Sequence, residues 1–290
     1  MGRLARSWRI FQKAEALLSS RKALAAFPAV SFCILCAVLL PLAASAFFLL
    51  DISIVNGKVV CANCKDSQEM ELAMACGAFL VYLLVMFTTN FCSAAFYSEI
   101  FRCLKGEEEA SIARGFRSAA DRILPLFLWS LLSATVGVIL RLLSGRRRSL
   151  LSRALLFAWS VASCFAIPVL VLDTTLVNPF RALKRSGSAI NRTWGEALIG
   201  FAGLKILLWT GAIGWGLLMA FLWAGYNTRP ALWLFFLLSA AAGTLLFGIF
   251  SYLVEAAETI YRATLFLYAE EGIYPSGFDS EDLNGAFLRE

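Results

Sequence analysis

The chain has 290 residues, of which 60% are hydrophobic and 16% charged, with a mean hydropathy of +0.73 and a formal net charge of +6. Soluble domains are about 45–50% apolar and roughly 25% charged, so this composition excludes an ordinary soluble enzyme and fits a polytopic membrane protein. The positive balance does not read as a nucleic-acid footprint, because the cations sit in short segments beside apolar runs, where topology-setting residues belong.

In chain order, residues 1–22 carry Arg3, Arg6, Arg9, Lys13, Arg21 and Lys22 against a single Glu15. Leu4, Trp8, Phe11 and Leu18 recur at helical spacing, which predicts a basic amphipathic helix at the membrane surface. The uncharged run 23–50 follows. Ala44-Ser45-Ala46 has the form of a cleavage site, but a run of 28 residues exceeds the 7–15 of a signal h-region. It reads as a retained first span. The remaining spans are placed at about 72–104, 123–143, 150–172, 197–226 and 230–270, each near the roughly 20 residues needed to cross the hydrocarbon core. The predicted fold is therefore all-α, with six transmembrane helices and an acidic tail over 271–290. The two shortest spans, the third and fourth, leave room for a hairpin that sits partly within the protein.

The polar loops set the expected sidedness. Lys and Arg concentrate at the N-terminus, between spans two and three, and between spans four and five, which places both termini in the cytoplasm of an inner-membrane protein. Arg146, Arg147 and Arg148, between spans three and four, run against that pattern. Basic amphipathic helices are expected at 1–22, 108–122 and 177–194, a weak threefold repetition of a strap followed by two spans. The expected headgroup contacts are Arg114 and Arg117 in the second strap and Arg181, Lys184, Arg185 and Arg192 in the third.

Chemistry is sparse. There is no histidine, and most of the eight cysteines lie in apolar runs, where cysteine behaves as a small hydrophobe. Cys61 and Cys64 form a CxxC in a polar loop; with no second exposed pair they suggest a disulfide or two idle thiols rather than zinc. No phosphate-binding, nucleophile-elbow or zinc-protease motif is present, so neither a cofactor, a metal nor an enzyme is expected. Asn90, inside span two, is expected to hydrogen-bond a neighbouring helix. Lys205, about 13 Å into span five along a helix, and Glu255 and Glu258 at the end of span six are candidates for a polar pocket. Ala212, Gly216, Ala220 and Ala224, answered by Ala240, Thr244 and Gly248, predict a tight antiparallel pair of spans five and six through small residues.

Four stretches carry a resemblance: GRLARSW at the start, WSLLSATVG at 129–137, ALKRSGSAINRTWGE at 182–196 and YRATLFLYAEEGIYPSGFD at 261–279. Through them the chain resembles an uncharacterised family of six-helix bacterial integral membrane proteins. That resemblance implies fold and location and assigns no activity or catalytic residues. The leading functional expectation is a non-enzymatic membrane component that binds anionic lipid or a membrane-protein partner. A transporter or channel for a small solute or lipid is the alternative.

Overall fold

The computed structural model describes residues 3–49, 52–55, 58–61, 68–107, 109–145, 150–228 and 233–272. Its helices are α1 (Arg3–Ser20), α2 (Lys22–Leu49), α3 (Gln68–Leu104), α4 (Ile112–Ala120), α5 (Ile123–Gly145), α6 (Leu150–Ala162), α7 (Ala166–Leu172), α8 (Pro179–Thr228) and α9 (Trp233–Glu271). Among the described residues, six stretches are long and apolar enough to cross a membrane: Lys22–Leu42, Met74–Leu104, Ile123–Leu143, Ala154–Leu172, Leu208–Gly225 and Leu234–Glu271. The chain is thus an all-α, multi-pass membrane protein. Its exposed Leu, Ile and Phe side chains, such as Leu142 at 72% and Phe221 at 76% exposure, are what lipid-facing helices require.

One local exception to the helices is a two-stranded antiparallel hairpin, β1 (Ile52–Val55) with β2 (Lys58–Cys61), pairing Ile52 with Cys61 and Val55 with Lys58. Its signal lay in the sequence unread. Asn56-Gly57 stands between two runs of β-branched residues, the strongest short hairpin pattern known.

The strap-and-span division also changes. The second strap is a separate helix, α4, started by Ser111, whose hydroxyl accepts the Arg114 N–H. The third strap is not separate: α8 runs unbroken for 50 residues through strap and span, about 75 Å along its axis. Gly195 stands at the junction but no Pro follows it, and the helix runs on through it into the apolar span. By contrast, the fourth span is broken. Residues 163–165 interrupt it between α6 and α7.

The chain divides into two compact units, the first comprising Met1–Ala25, Ile100–Ala110 and Ser188–Glu290, the second Ala26–Glu99 and Ser111–Gly187. In the first unit, α1 packs on α9, burying Ala14 and Leu18 one helical turn apart. Phe101 meets Phe266 at 6.2 Å between ring centroids, and Lys105 pairs with Glu271 at 2.8 Å. The spans of α8 and α9 in this unit run antiparallel, but not on the expected small-residue face. Among the described residues, nothing lies within 4 Å of a side-chain carbon built at Gly216 or Gly248. The helices instead mesh large side chains into other glycines. Phe250 fills the notch at Gly211, Met219 fills that at Gly243, and Trp215 stacks on Phe247 with centroids 5.6 Å apart. Large rings seated in glycine notches offer more dispersion contact than small residues facing each other, and dispersion is what drives helix association in lipid.

In the second unit, Phe27, Phe91, Phe96 and Phe116 form a chain of ring contacts joining α2, α3 and α4. Gly115 is where α4 crosses closest: a methyl group there would lie 2.7 Å from the Ala95 carbonyl oxygen and from the Phe27 ring. Trp129 of α5 stacks on Trp159 of α6 at 6.2 Å.

Candidate functional site

The charged residues that composition placed in straps are drawn together in the second unit into three linked constructions. The first is built on Glu99, near the end of the second span and 0% exposed. A buried carboxylate must be fully partnered, and this one is. Arg114 donates Nε to Oε1 at 2.9 Å and Nη2 to Oε2 at 2.7 Å, a two-pronged geometry that lysine cannot copy. The Ser111 backbone N–H adds a third bond at 2.8 Å. Glu99 thereby fixes the start of α4, while the Arg114 side chain keeps 37% of its surface exposed.

The second construction caps α7. Arg122, just past the end of α4, donates Nη2 to the carbonyls of Leu170 at 3.2 Å, Asp173 at 2.7 Å and Leu176 at 2.8 Å. It also donates Nε to Leu170 at 3.3 Å and Nη1 to Thr174. A helix leaves its last carbonyls unpaired and carries a negative dipole end, so one guanidinium satisfies both needs.

The third construction surrounds Asp173, whose carboxylate accepts from the Thr175 hydroxyl at 2.7 Å and from its backbone N–H at 3.0 Å, and pairs with Arg185 of α8. The Thr175 hydroxyl bond, with the Thr175 N–H and the Arg185 charge, holds the Asp173 carboxyl below its ordinary value of 3.8 against an opposing effect of burial. A depressed carboxyl contributes stability that is complete above the unfolded value and is lost as pH falls through the folded one. Asp173→Asn should therefore loosen the α7–α8 junction at pH 7, with the gap to the parent protein unchanged down to about pH 5 and closing below 3.8. Hydrogen exchange of residues 173–178 across that range measures it; a gap already closing between pH 7 and 5 would show that another group is responsible.

The break in span four lies beside these groups. Backbone bonds shift there from four-residue to three-residue spacing, with Cys164 N–H donating to Val161 O at 3.1 Å and Ala166 N–H to Ser163 O at 3.1 Å. The Phe165 N–H is taken by the hydroxyl of Ser186, a fully buried residue of α8, at 3.0 Å. Neither Arg122 nor Ser186 was singled out from sequence. For Ser186 no signal exists, since a serine in a helix is ordinary until its partner is known.

The expected site residues therefore fall into separate groups. Arg114 and Arg185, expected to face headgroups, are engaged with Glu99 and Asp173, because each stands within reach of a carboxylate that needs a cation. Arg117, Arg181 and Lys184 are exposed, and no described carboxylate pairs with them. Beside them Phe180 is 65% and Val177 42% exposed. The side chains of Arg192 and Lys205, and Cys64 with the side chain of Cys61, lie outside the described residues.

Asn90, in the second unit, donates Nδ2 to Ser130 Oγ of α5 at 2.8 Å, and that hydroxyl in turn donates a hydrogen bond to the Leu126 carbonyl at 2.7 Å. In the first unit, Glu258 is buried and pairs with Arg262 one turn along α9, while Glu255 is exposed. Arg141, in the segment that opposed the positive-inside pattern, rests over the Tyr82 ring, 5.3 Å from its centroid. The neighbouring residues 146–149 lie outside the described residues.

Comparison with curated proteins and with solved structures finds no match. The sequence profile of DUF6159, a family of unknown function, matches residues 72–278, a stretch that holds the Glu99–Arg114 pair, the Arg122 cap and the broken fourth span. The chain belongs to that family.

Proposed function

We propose that this protein is a non-enzymatic component of the inner membrane that holds anionic lipid at its cytoplasmic face through Arg117, Arg181 and Lys184. The observation that carries the reading is the sorting of strap cations into two sets. Arg114, Arg122 and Arg185 are used by the fold, whereas these three stay exposed and without a described carboxylate partner. Arg181 and Lys184 stand three apart on α8, hence on neighbouring positions of one face. Exposed Phe180 and Val177 beside them give that surface the mixed apolar and basic character suited to the boundary between headgroups and acyl chains.

Each such cation near an anionic surface contributes about 1 kcal/mol, or roughly fivefold in affinity. The protein extracted in lipid discs from mixed phosphatidylglycerol and phosphatidylcholine membranes, and weighed intact by mass spectrometry, should retain phosphatidylglycerol selectively. The Arg117→Gln/Arg181→Gln/Lys184→Gln protein should lose most of that selectivity. Equal retention of both lipids by the parent protein would overturn the reading, and a stoichiometric protein found in its place would make the surface a subunit contact.

A transporter is the second reading, favoured by one observation: a discontinuous span is a common way to build a solute site at membrane depth. Here, however, the carbonyls at the end of α7 are filled by Arg122 and the Phe165 N–H is taken by Ser186, so the groups such sites use are already engaged. Solute flux through reconstituted vesicles would restore this reading.

A further inference from the structure

Arg141 stands near the far end of α5, about 27 Å along the helix from Ile123 and so close to one hydrocarbon thickness from the α4 strap. It is exposed, and among the described residues no carboxylate, carbonyl or hydroxyl accepts from its guanidinium. What it does meet is the ring of Tyr82 on α3, 5.3 Å from the centroid. The ring attracts the positive charge, but the planar fork of N–H donors still has no oxygen to bond. The same tyrosine lays its hydroxyl against Gly137, where a methyl group would come within 2.9 Å of it. Gly137 is the notch that receives Tyr82. No described residue bonds that hydroxyl either, and it lies beside a residue one turn nearer the middle of the span than Arg141. Two donors thus wait at two depths, and donors at the edge of hydrocarbon require acceptors from whatever surrounds them.

We propose that Arg141, Tyr82 and Gly137 form a seat for a single phospholipid in the leaflet opposite the α4 strap. The Arg141 guanidinium donates to the lipid phosphate, and the Tyr82 hydroxyl donates to an ester carbonyl. This seat is separate from the surface of Arg117, Arg181 and Lys184 and does not rest on it. The two depths support the assignment. In a glycerophospholipid the ester carbonyls lie beneath the phosphate, as the hydroxyl at Gly137 lies beneath the position of Arg141. A guanidinium fork also matches paired phosphate oxygens, which an ammonium meets only as a point charge. Exposed Ile139 and Leu142 on α5, with Leu80 and Leu84 on α3, give the acyl chains an apolar surface on the same two helices. A soluble anion would satisfy the arginine alone. Only a lipid brings an acceptor to both depths.

The probes are phosphatidylglycerol and its ether-linked analogue, which keeps the phosphate and lacks the carbonyls. Each is offered to the full-length protein in detergent, and bound lipid is counted by intact-mass measurement. The Arg117→Gln/Arg181→Gln/Lys184→Gln protein, neutral at the strap surface, should still retain a single lipid, the ester form ahead of the ether form by roughly fivefold. Adding Arg141→Gln should weaken retention of both forms by about tenfold. Adding Tyr82→Phe, which keeps the ring under the cation, should remove the ester preference and leave the ether form unchanged. Gly137→Ala should do the same by displacing the hydroxyl. Retention indifferent to Arg141→Gln, or an equal hold on both forms before any change at Tyr82, would overturn this inference. Loss of all lipid from the triple variant, with the parent retaining it, would overturn it too and leave the strap reading standing. Equal retention by parent and triple variant, lost on Arg141→Gln, would overturn the strap reading and support this one.

Discussion

Replacing Arg114 by methionine is expected to destabilise the protein by about 3–5 kcal/mol, because it strands a carboxylate in the interior. Glu99 has no exposed surface, and losing Arg114 removes the two-pronged charge partner while the Ser111 N–H bond remains. The reverse truncation should be milder. In Glu99→Gln the Ser111 bond survives, and the guanidinium, already 37% exposed, can be solvated; about 1–2 kcal/mol is expected. The Arg114→Met/Glu99→Gln double variant should then be more stable than Arg114→Met alone, since no buried charge remains. Thermal unfolding in one detergent, run as a double-mutant cycle, measures all three. Additive losses would mean that the pair is not coupled as its geometry implies.

Arg122→Met should be the second large loss, about 2–4 kcal/mol, as several charge-assisted bonds to carbonyls and the favourable dipole term disappear together. The Leu170 carbonyl belongs to a fully buried residue and has the least prospect of finding water. Arg122→Lys should recover less than half of the loss. An ammonium keeps the charge at the helix end but has no planar fork to reach the carbonyls of Leu170, Asp173, Thr174 and Leu176 at once. Exchange at residues 170–176 should rise in the same order, parent, lysine, methionine. Equal stability of the lysine variant and the parent would reduce the role of Arg122 to its charge alone.

Much of the site was written in residue types and little of it in pairings. Arg114, Arg117, Arg181, Lys184 and Arg185 stand out in sequence because cations beside apolar stripes are rare enough to notice. What divides them is whether a carboxylate lies within about 3 Å, and Glu99 and Asp173 are 15 and 12 residues away along the chain. Helical periodicity places a residue on a face of its own helix and says nothing of what another helix brings to that face. The α8–α9 contact makes the same point. Small residues at every fourth position mark where close approach is permitted, but Gly211 and Gly243 are the positions at which Phe250 and Met219 arrive.

By itself the sequence determined that this chain lives in a membrane, that it crosses as helices, and where its long apolar stretches lie. Those follow from composition and run length, since backbone polar groups in lipid must be satisfied within each segment. Tertiary structure alone decided which charges are consumed and which partners cover the break in the fourth span, whose local signal, Pro168, stands in the sequence. The fourth span ends at residue 162 and resumes at 166: Pro168 cannot share a regular turn with the Cys164 carbonyl, and Ser186, from another element, takes the Phe165 N–H that the interruption leaves open. A break in hydrocarbon is permitted only where such partners stand, and partners so distant along the chain are visible only once it is folded.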